Sequence, residues 1–203
     1  MKKLISPVCI LLALTAYTQS PIELVSKTYF RAHPFDMKFS SFVKSLQQDP
    51  WFTLDTFNRR TDSTFFFITG SYKNFNPFRY PSKEIRLVVA EEEIIHDDSL
   101  KTHDTIINLQ IMGMTDTGIV HSKNVEKEFR RFHNNQAKHF YTNVHEDLKT
   151  AGAINNYFIP PYTIAPVTVA WGRLPGGQYT FILTIRFKVK ENMATYILAP
   201  GEF

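Results

Sequence analysis

The sequence predicts an α+β fold: a mainly antiparallel sheet of about seven strands packed against one long helix, with a shorter N-terminal helix. Three observations support this prediction. Apolar and polar residues alternate through 179–190, which indicates a long strand with one buried face. An apolar stripe at steps of three, four or eight runs through 122–149, which indicates a helix. Short polar turns separate the predicted strands, which favours antiparallel pairing.

The N-terminal part of the domain contains the shorter helix. Its apolar residues fall at i, i+3, i+4 and i+7, which is one face of a helix; they are Phe39, Phe42, Val43 and Leu46. Pro50 bounds the pattern, so we predict a helix at 38–48. The preceding segment, 21–35, is compatible with either a strand or a short helix.

Four strands are predicted next, in two pairs. The first pair is 51–58 and 64–69, around a polar turn that contains Arg59 and Arg60. The second pair is 84–95 and 105–113, joined by a polar connection at 96–104.

The long helix is predicted at 122–149, with Gly152 as its C-terminal cap. At 1.5 Å per residue it would span about 40 Å, so a break near Asn134 and Asn135 remains an alternative. We expect its apolar stripe to pack on a face of the sheet.

The C-terminal part predicts a three-stranded antiparallel meander. Its strands are 167–171, 179–190 and 193–198, with turns at 175–177 and at Glu191–Asn192.

The N-terminus has the pattern of a secretory signal peptide. Two lysines precede an apolar run of about 13 residues, which is shorter than the roughly 20 that a membrane-spanning helix needs. We predict a signal peptide at 1–20, a single domain at 21–203, and an exported protein that is periplasmic or secreted, with no membrane span after cleavage. An uncleaved anchor or a buried helix is the alternative. Cys9 lacks the flanking residues of a bacterial lipidation site.

Cleavage would leave a nearly neutral chain. It removes two of the 23 basic residues and none of the 19 acidic ones, which changes the net charge from +4 to +2. That charge is too small to indicate a nucleic acid partner. The remaining chain has no cysteine, which excludes disulfides, thiol catalysis and zinc–thiolate sites.

The chain contains no recognised catalytic motif, such as G-x-S-x-G, H-E-x-x-H or a P-loop. We therefore assign no catalytic residue, predict no cofactor, and favour a binding role over an enzymatic one.

Two aromatic segments, 70–81 and 155–162, predict a binding surface for a protein or a glycan. Rings interleaved with amides and cations suit such surfaces. The proposed binding residues are Tyr72, Phe75, Phe78, Arg79, Tyr80, Tyr157 and Tyr162. The alternative is that these segments fold back and that their rings cap the core.

A metal site is the second hypothesis, on the 96–104 connection. Imidazole nitrogens and carboxylate oxygens suit zinc or a similar ion; the candidate ligands are His96, Asp98, His103 and Asp104. A solvated turn is the alternative.

The other polar clusters point to solvated faces. His133, His139 and His145 are six residues apart, so on one straight helix they would point in three directions and could not share a ligand. We interpret Glu91–Glu93 and the basic residues of 130–138 and 186–190 in the same way.

Three functions follow from these patterns. The first is an exported bacterial envelope protein that binds a partner without catalysis. The second is a metal-dependent envelope hydrolase using the 96–104 connection. The third is a carrier with an apolar cavity between the sheet and the long helix.

Overall fold

The computed structural model describes residues 20–59, 66–97, 102–148, 152–159 and 164–195. The predicted signal peptide, apart from Ser20, lies outside these residues. The described helices are α1 (Pro21–Tyr29), α2 (Phe39–Gln48) and α3 (Ile119–Gln136), which a 3-10 turn (Ala137–His139) extends. The strands are β1 (Phe52–Arg59), β2 (Phe66–Tyr72), β3 (Glu84–Asp97), β4 (Thr102–Thr117), β5 (Thr142–Asp147), β6 (Gly152–Phe158), β7 (Val167–Arg173), β8 (Gln178–Lys190) and β9 (Met193–Thr195). Within the described ranges, none of the helices combines the length and the apolar character needed to cross a membrane.

The strands form one antiparallel sheet in the order β1-β2-β3-β4-β8-β7-β6-β5, and β9 pairs with β8. Two meanders, β1 to β4 and β5 to β8, therefore meet where β4 pairs with β8. Helix α3 connects the meanders and contacts β4, β7 and β8. This arrangement confirms the predicted α+β class.

The core lies between the helices and one face of the sheet. A row of directly paired, buried residues crosses this face from β2 to β7; it comprises Ile68, Val89, Leu109, Ile185 and Val167. Phe132 of α3 reaches Phe181 of β8 and Tyr157 of β6, at ring distances of 6.3 and 5.6 Å. Burial of these rings holds α3 against the sheet.

The N-terminal helices agree with the sequence. The segment 21–35, which the sequence allowed to be a strand or a short helix, contains helix α1. The helix begins where the Ser20 side chain accepts a hydrogen bond from the Ile22 amide. The helix predicted at 38–48 is confirmed as α2, with Phe42 and Leu46 on its buried face.

The C-terminal meander is confirmed by β7, β8 and β9. Glu191 and Asn192 both have positive φ, as a two-residue hairpin turn requires. The last residues predicted for the third strand lie outside the described part of the chain.

The long helix predicted at 122–149 is wrong in its second half. Helix α3 ends at Gln136, and β5 occupies part of the remainder. Phe140, Val144 and Leu148 fit a helical stripe, but Val144 is exposed. Pairing of β5 with β6 satisfies this backbone instead, and the break lies beside the Asn134–Asn135 pair that sequence reasoning had marked as an alternative.

Two connections also differ from expectation. Strands β3 and β4 extend to Asp97 and from Thr102, so they include most of the connection predicted at 96–104. Gly152, predicted as a helix cap, begins β6, and that strand includes the first residues of the second aromatic segment.

Candidate functional site

The described residues contain a polar cleft at the β5 end of the inner sheet face. The register places Asn155 beside Val169 on one side and His145 on the other. It likewise places Tyr157 beside Asn143, while Ala153 lies between Trp171 and Asp147. The apolar rows of the core therefore become polar in their last two strands.

Helix α3 forms the opposite wall of this cleft. The cleft has a volume of about 590 Å³, within the usual range for small-ligand sites. Its lining residues come from α3, β5, β6 and β7; they are Glu126, Phe129, Arg130, His133, Asn134, Asn143, His145, Asp147, Ala153, Asn155 and Trp171. Amides, imidazoles, charged groups and an indole ring are thus available to one ligand.

A chain of hydrogen-bonding groups runs along the floor of the cleft. His145 Nε2 lies 3.1 Å from Asp147 Oδ1, and His145 Nδ1 lies 2.6 Å from Asn155 Oδ1. Asn155 Nδ2 donates to the Tyr157 hydroxyl at 3.4 Å. That hydroxyl lies 3.2 Å from His133 Nδ1. The chain therefore links the exposed edge strand to the helix wall through the buried Asn155 and Tyr157.

Tyr157 is the buried centre of this chain. Its ring is fully buried against Phe132 and Phe140. Burial raises the pKa of Tyr157 to about 12, although the hydrogen bond with Asn155 opposes the rise. The hydroxyl therefore keeps its proton at neutral pH and can donate it in a hydrogen bond.

The charged groups of the cleft occur in opposite pairs. Arg130 contacts Glu126 one turn away on α3, with Nη2 and Oε1 2.5 Å apart. His145 contacts Asp147 on β5. Each carboxylate of the cleft therefore lies against a basic side chain, Glu126 against Arg130 and Asp147 against His145.

The predicted aromatic surface is largely part of the core. Tyr72, Phe78, Tyr80 and Tyr157 are all buried. Phe78 and Tyr80 stack at 5.5 Å, and the Tyr80 hydroxyl donates to the Gly113 carbonyl at 2.7 Å. The segment folds back because its rings complete the apolar layer beneath α3. This is the core-capping arrangement, and it removes the main support for a binding surface made of these rings.

The remaining residues of the predicted aromatic binding surface are Phe75, Arg79 and Tyr162. Phe75 is partly buried against Tyr72, at a ring distance of 5.0 Å. Arg79 is exposed, and its backbone amide donates to Glu128 Oε2 at 3.3 Å. Tyr162 lies outside the described residues.

The side chains proposed as metal ligands lie outside the part of the chain that the structure describes. Asp98 is not among the described residues, and for His96, His103 and Asp104 only the backbone is described, within β3 and β4. The metal site therefore stays a prediction. Among the described residues, no group of three or more His, Cys, Asp or Glu side chains could hold a metal ion.

Sequence reasoning missed the polar cleft because it treated 122–149 as one helix. On that helix His133 and His145 would point apart, whereas the break after α3 brings both to one cleft. A signal was available: Asn143, His145 and Asp147 alternate with Val144 and Glu146, which is the period of a strand with a polar face.

Comparisons of the chain with models of protein families, with curated proteins and with solved structures find no match.

Proposed function

We propose that the chain is an exported, non-catalytic binding protein, and that the cleft between α3 and β5–β7 binds a neutral sugar of a glycan. The observation that carries the proposal is the cleft itself, which combines a half-buried indole with amide and charged hydrogen-bonding groups. Export rests on the N-terminal pattern of the sequence. The aromatic segments of the sequence predict a protein or a glycan partner, and the polar groups that line the cleft support the glycan.

The paired side chains of the cleft favour a neutral ligand. Glu126 is paired with Arg130 and Asp147 with His145, so an ionic ligand would have to replace one of these contacts. A sugar hydroxyl both donates and accepts, and it can bond to the outer atoms of these pairs without separating them. The flat indole of Trp171 adds an apolar surface, such as sugar rings use.

The contacts of the histidines support binding rather than catalysis. A general base needs a nitrogen lone pair directed at its substrate. Both ring nitrogens of His145 lie against acceptor oxygens, and Nδ1 of His133 lies against the Tyr157 hydroxyl. This network fixes the orientation of the rings, as a preformed binding site requires.

Titration with neutral and charged sugars tests the proposal. The chain has two tryptophans, so Trp51→Phe leaves Trp171 as the reporter of the cleft. We expect glucose or N-acetylglucosamine oligomers to change Trp171 fluorescence and to raise the unfolding temperature. Glucosamine and glucuronic acid should bind more weakly, because the charged group of each would have to compete with an existing contact, Glu126–Arg130 or Asp147–His145. Absence of both responses to every neutral sugar would overturn the proposal.

Neighbouring asparagines on α3 provide a matched pair of variants. Asn134 and Asn135 are both exposed, but only Asn134 lines the cleft. Loss of one hydrogen bond costs about 0.5–1.5 kcal/mol, so Asn134→Ala should weaken sugar binding by roughly 2- to 13-fold. Asn135→Ala should leave binding unchanged. Equal affinity of the two variants would place the sugar elsewhere.

A further inference from the structure

The distances along the floor of the cleft give the hydrogen-bond chain a direction. N–H···O bonds span about 2.7–3.2 Å and O–H···O bonds about 2.5–3.0 Å. The contact between Asn155 and the Tyr157 hydroxyl is 3.4 Å, which exceeds the first range by 0.2 Å and the second by 0.4 Å, so a contact through the amide nitrogen is the better fit. The amide oxygen then accepts from His145 Nδ1 at 2.6 Å.

This direction favours one tautomer of His133. Because the Tyr157 oxygen accepts from Asn155, its own proton is free to donate to His133 Nδ1 at 3.2 Å. A nitrogen that accepts carries no proton, so the proton of neutral His133 is on Nε2. Nε2 has no hydrogen-bond partner among the described residues, and the ring lines the cleft.

The two contacts of His145 differ in their exposure. Nδ1 faces Asn155, which is buried, whereas Nε2 faces Asp147, whose side chain is 85% exposed. An unsatisfied group costs more when it is buried, so the contact of Nδ1 with Asn155 is the more important of the two. A proton on Nδ1 that donates to Asn155 satisfies this contact.

We propose that His133 is a specificity-determining residue whose Nε2–H donates to an acetamido carbonyl, so that the cleft prefers a neutral N-acetylhexosamine to the corresponding plain hexose. A carbonyl oxygen only accepts hydrogen bonds, so the bond from Nε2–H satisfies it. A sugar hydroxyl in the same position also carries a proton, and this proton would need a second acceptor nearby. The tautomer is a property of the free protein; the sugar preference rests on the proposed function.

The variant Asn155→Asp tests the direction directly. A carboxylate has no proton to donate, so Tyr157 must donate to it, and the Tyr157 oxygen must then accept from His133. We expect the proton of neutral His133 to move from Nε2 to Nδ1, as read from the nitrogen resonances of ¹⁵N-histidine-labelled full-length protein without ligand. The matched control is Asn156→Asp, because Asn156 is the next residue of β6 and its Oδ1 accepts from Thr168 instead.

A second variant keeps the test decisive if Asn155→Asp fails to fold. Tyr157→Phe preserves the buried ring and removes the hydroxyl. We expect the resonance of unprotonated His133 Nδ1 to shift, because it loses a donor, while Nε2–H remains. A wild-type His133 protonated on Nδ1, or an Asn155→Asp protein that keeps Nε2–H, would overturn the assignment.

Sugar titrations complete the test and separate the two proposals. We expect the wild-type protein to bind N-acetylglucosamine about tenfold tighter than glucose, and Asn155→Asp to reduce this ratio to about one. A merely structural role would weaken both sugars equally and leave the ratio unchanged, which would refute the specificity role. If His133 carries its proton on Nε2 and neither sugar binds, the proposed function is wrong, whereas the assigned tautomer of His133 is correct. If sugars bind and the tautomer is the opposite one, only the inference fails.

Discussion

Replacement of Gly113 by alanine tests whether the first aromatic segment belongs to the core. Gly113 lies on β4 beneath the stacked rings of Phe78 and Tyr80. A Cβ atom at this position would lie 2.6 and 2.7 Å from two atoms of the Phe78 ring, where ordinary contacts begin at 3.4 Å. Phe78 would therefore have to move by about 0.8 Å.

The neighbours of Phe78 leave little room for that movement. Its ring is edge-on to Phe181 at 5.2 Å and lies 6.3 Å from Tyr29. Overpacking of a core costs about 1–3 kcal/mol, and loss of the Tyr80–Gly113 hydrogen bond about 0.5–1.5 kcal/mol. Alanine restricts the unfolded chain and returns about 0.4–1 kcal/mol. Together these ranges give a net loss of about 0.5–4 kcal/mol in the free energy of unfolding, and we expect a value near their centre, about 2–3 kcal/mol.

Urea denaturation followed by circular dichroism measures this loss. With a slope of about 2 kcal/mol per molar urea, the midpoint should fall by roughly 1–1.5 M. Gly176→Ala is the control, since the nearest atom to its Cβ would be 3.7 Å away, and its stability should change by less than about 0.5 kcal/mol. If Gly113→Ala is as stable as the control, the rings do not pack on β4 and the aromatic binding surface regains its support.

Two other predictions concern buried polar groups. Glu128→Gln should cost about 3 kcal/mol in a urea titration, because the Glu128 side chain is 2% exposed and its loss leaves Arg131 partly buried without its ion pair. Glu126→Gln breaks a pair with Arg130, which is 74% exposed, and should cost less than about 1 kcal/mol; equal costs would refute the reasoning. Stability should also fall above pH 10. Burial raises the pKa values of Tyr29, Tyr72, Tyr80 and Tyr157, so the unfolded chain releases these protons at lower pH than the folded chain. Each such tyrosine contributes a slope of about −1.4 kcal/mol per pH unit between its unfolded and folded pKa values. A denaturation midpoint that is constant from pH 9 to 12 would contradict this expectation.

The sequence predicted those elements in which the apolar residues follow a single spacing, either that of a helix or that of a strand. The apolar residues Phe181, Leu183, Ile185 and Phe187 of β8 are all buried, as their alternation predicts, and α2 presents Phe42 and Leu46 on a single face. The local pattern therefore identifies the buried apolar residues of both elements. It does not show that the other face of β8 also buries Thr180 and Thr184.

The candidate site could not be predicted because two periodicities compete there. Phe140, Val144 and Leu148 fit a helix, while Asn143, His145 and Asp147 fit a strand with a polar face. The choice depends on pairing with β6, a contact between segments about ten residues apart. The aromatic segment at 72–80 presented a different problem, because the sequence does not show that Gly113 leaves space for its rings.

The position of β5 at the end of the sheet has a consequence for amide hydrogen exchange. Among the described strands, β5 pairs only with β6, and all residues of β5 are exposed, so opening of this strand exposes little apolar surface. Local opening of such a strand requires much less free energy than global unfolding. A ligand that bonds to Asn143 or Asp147 binds only the form in which β5 is paired with β6. It lowers the population of the opened form, and amide exchange in β5 and β6 slows by the same factor. Exchange in the central strands β4 and β8 is governed by larger openings, and it should respond to the ligand only through them.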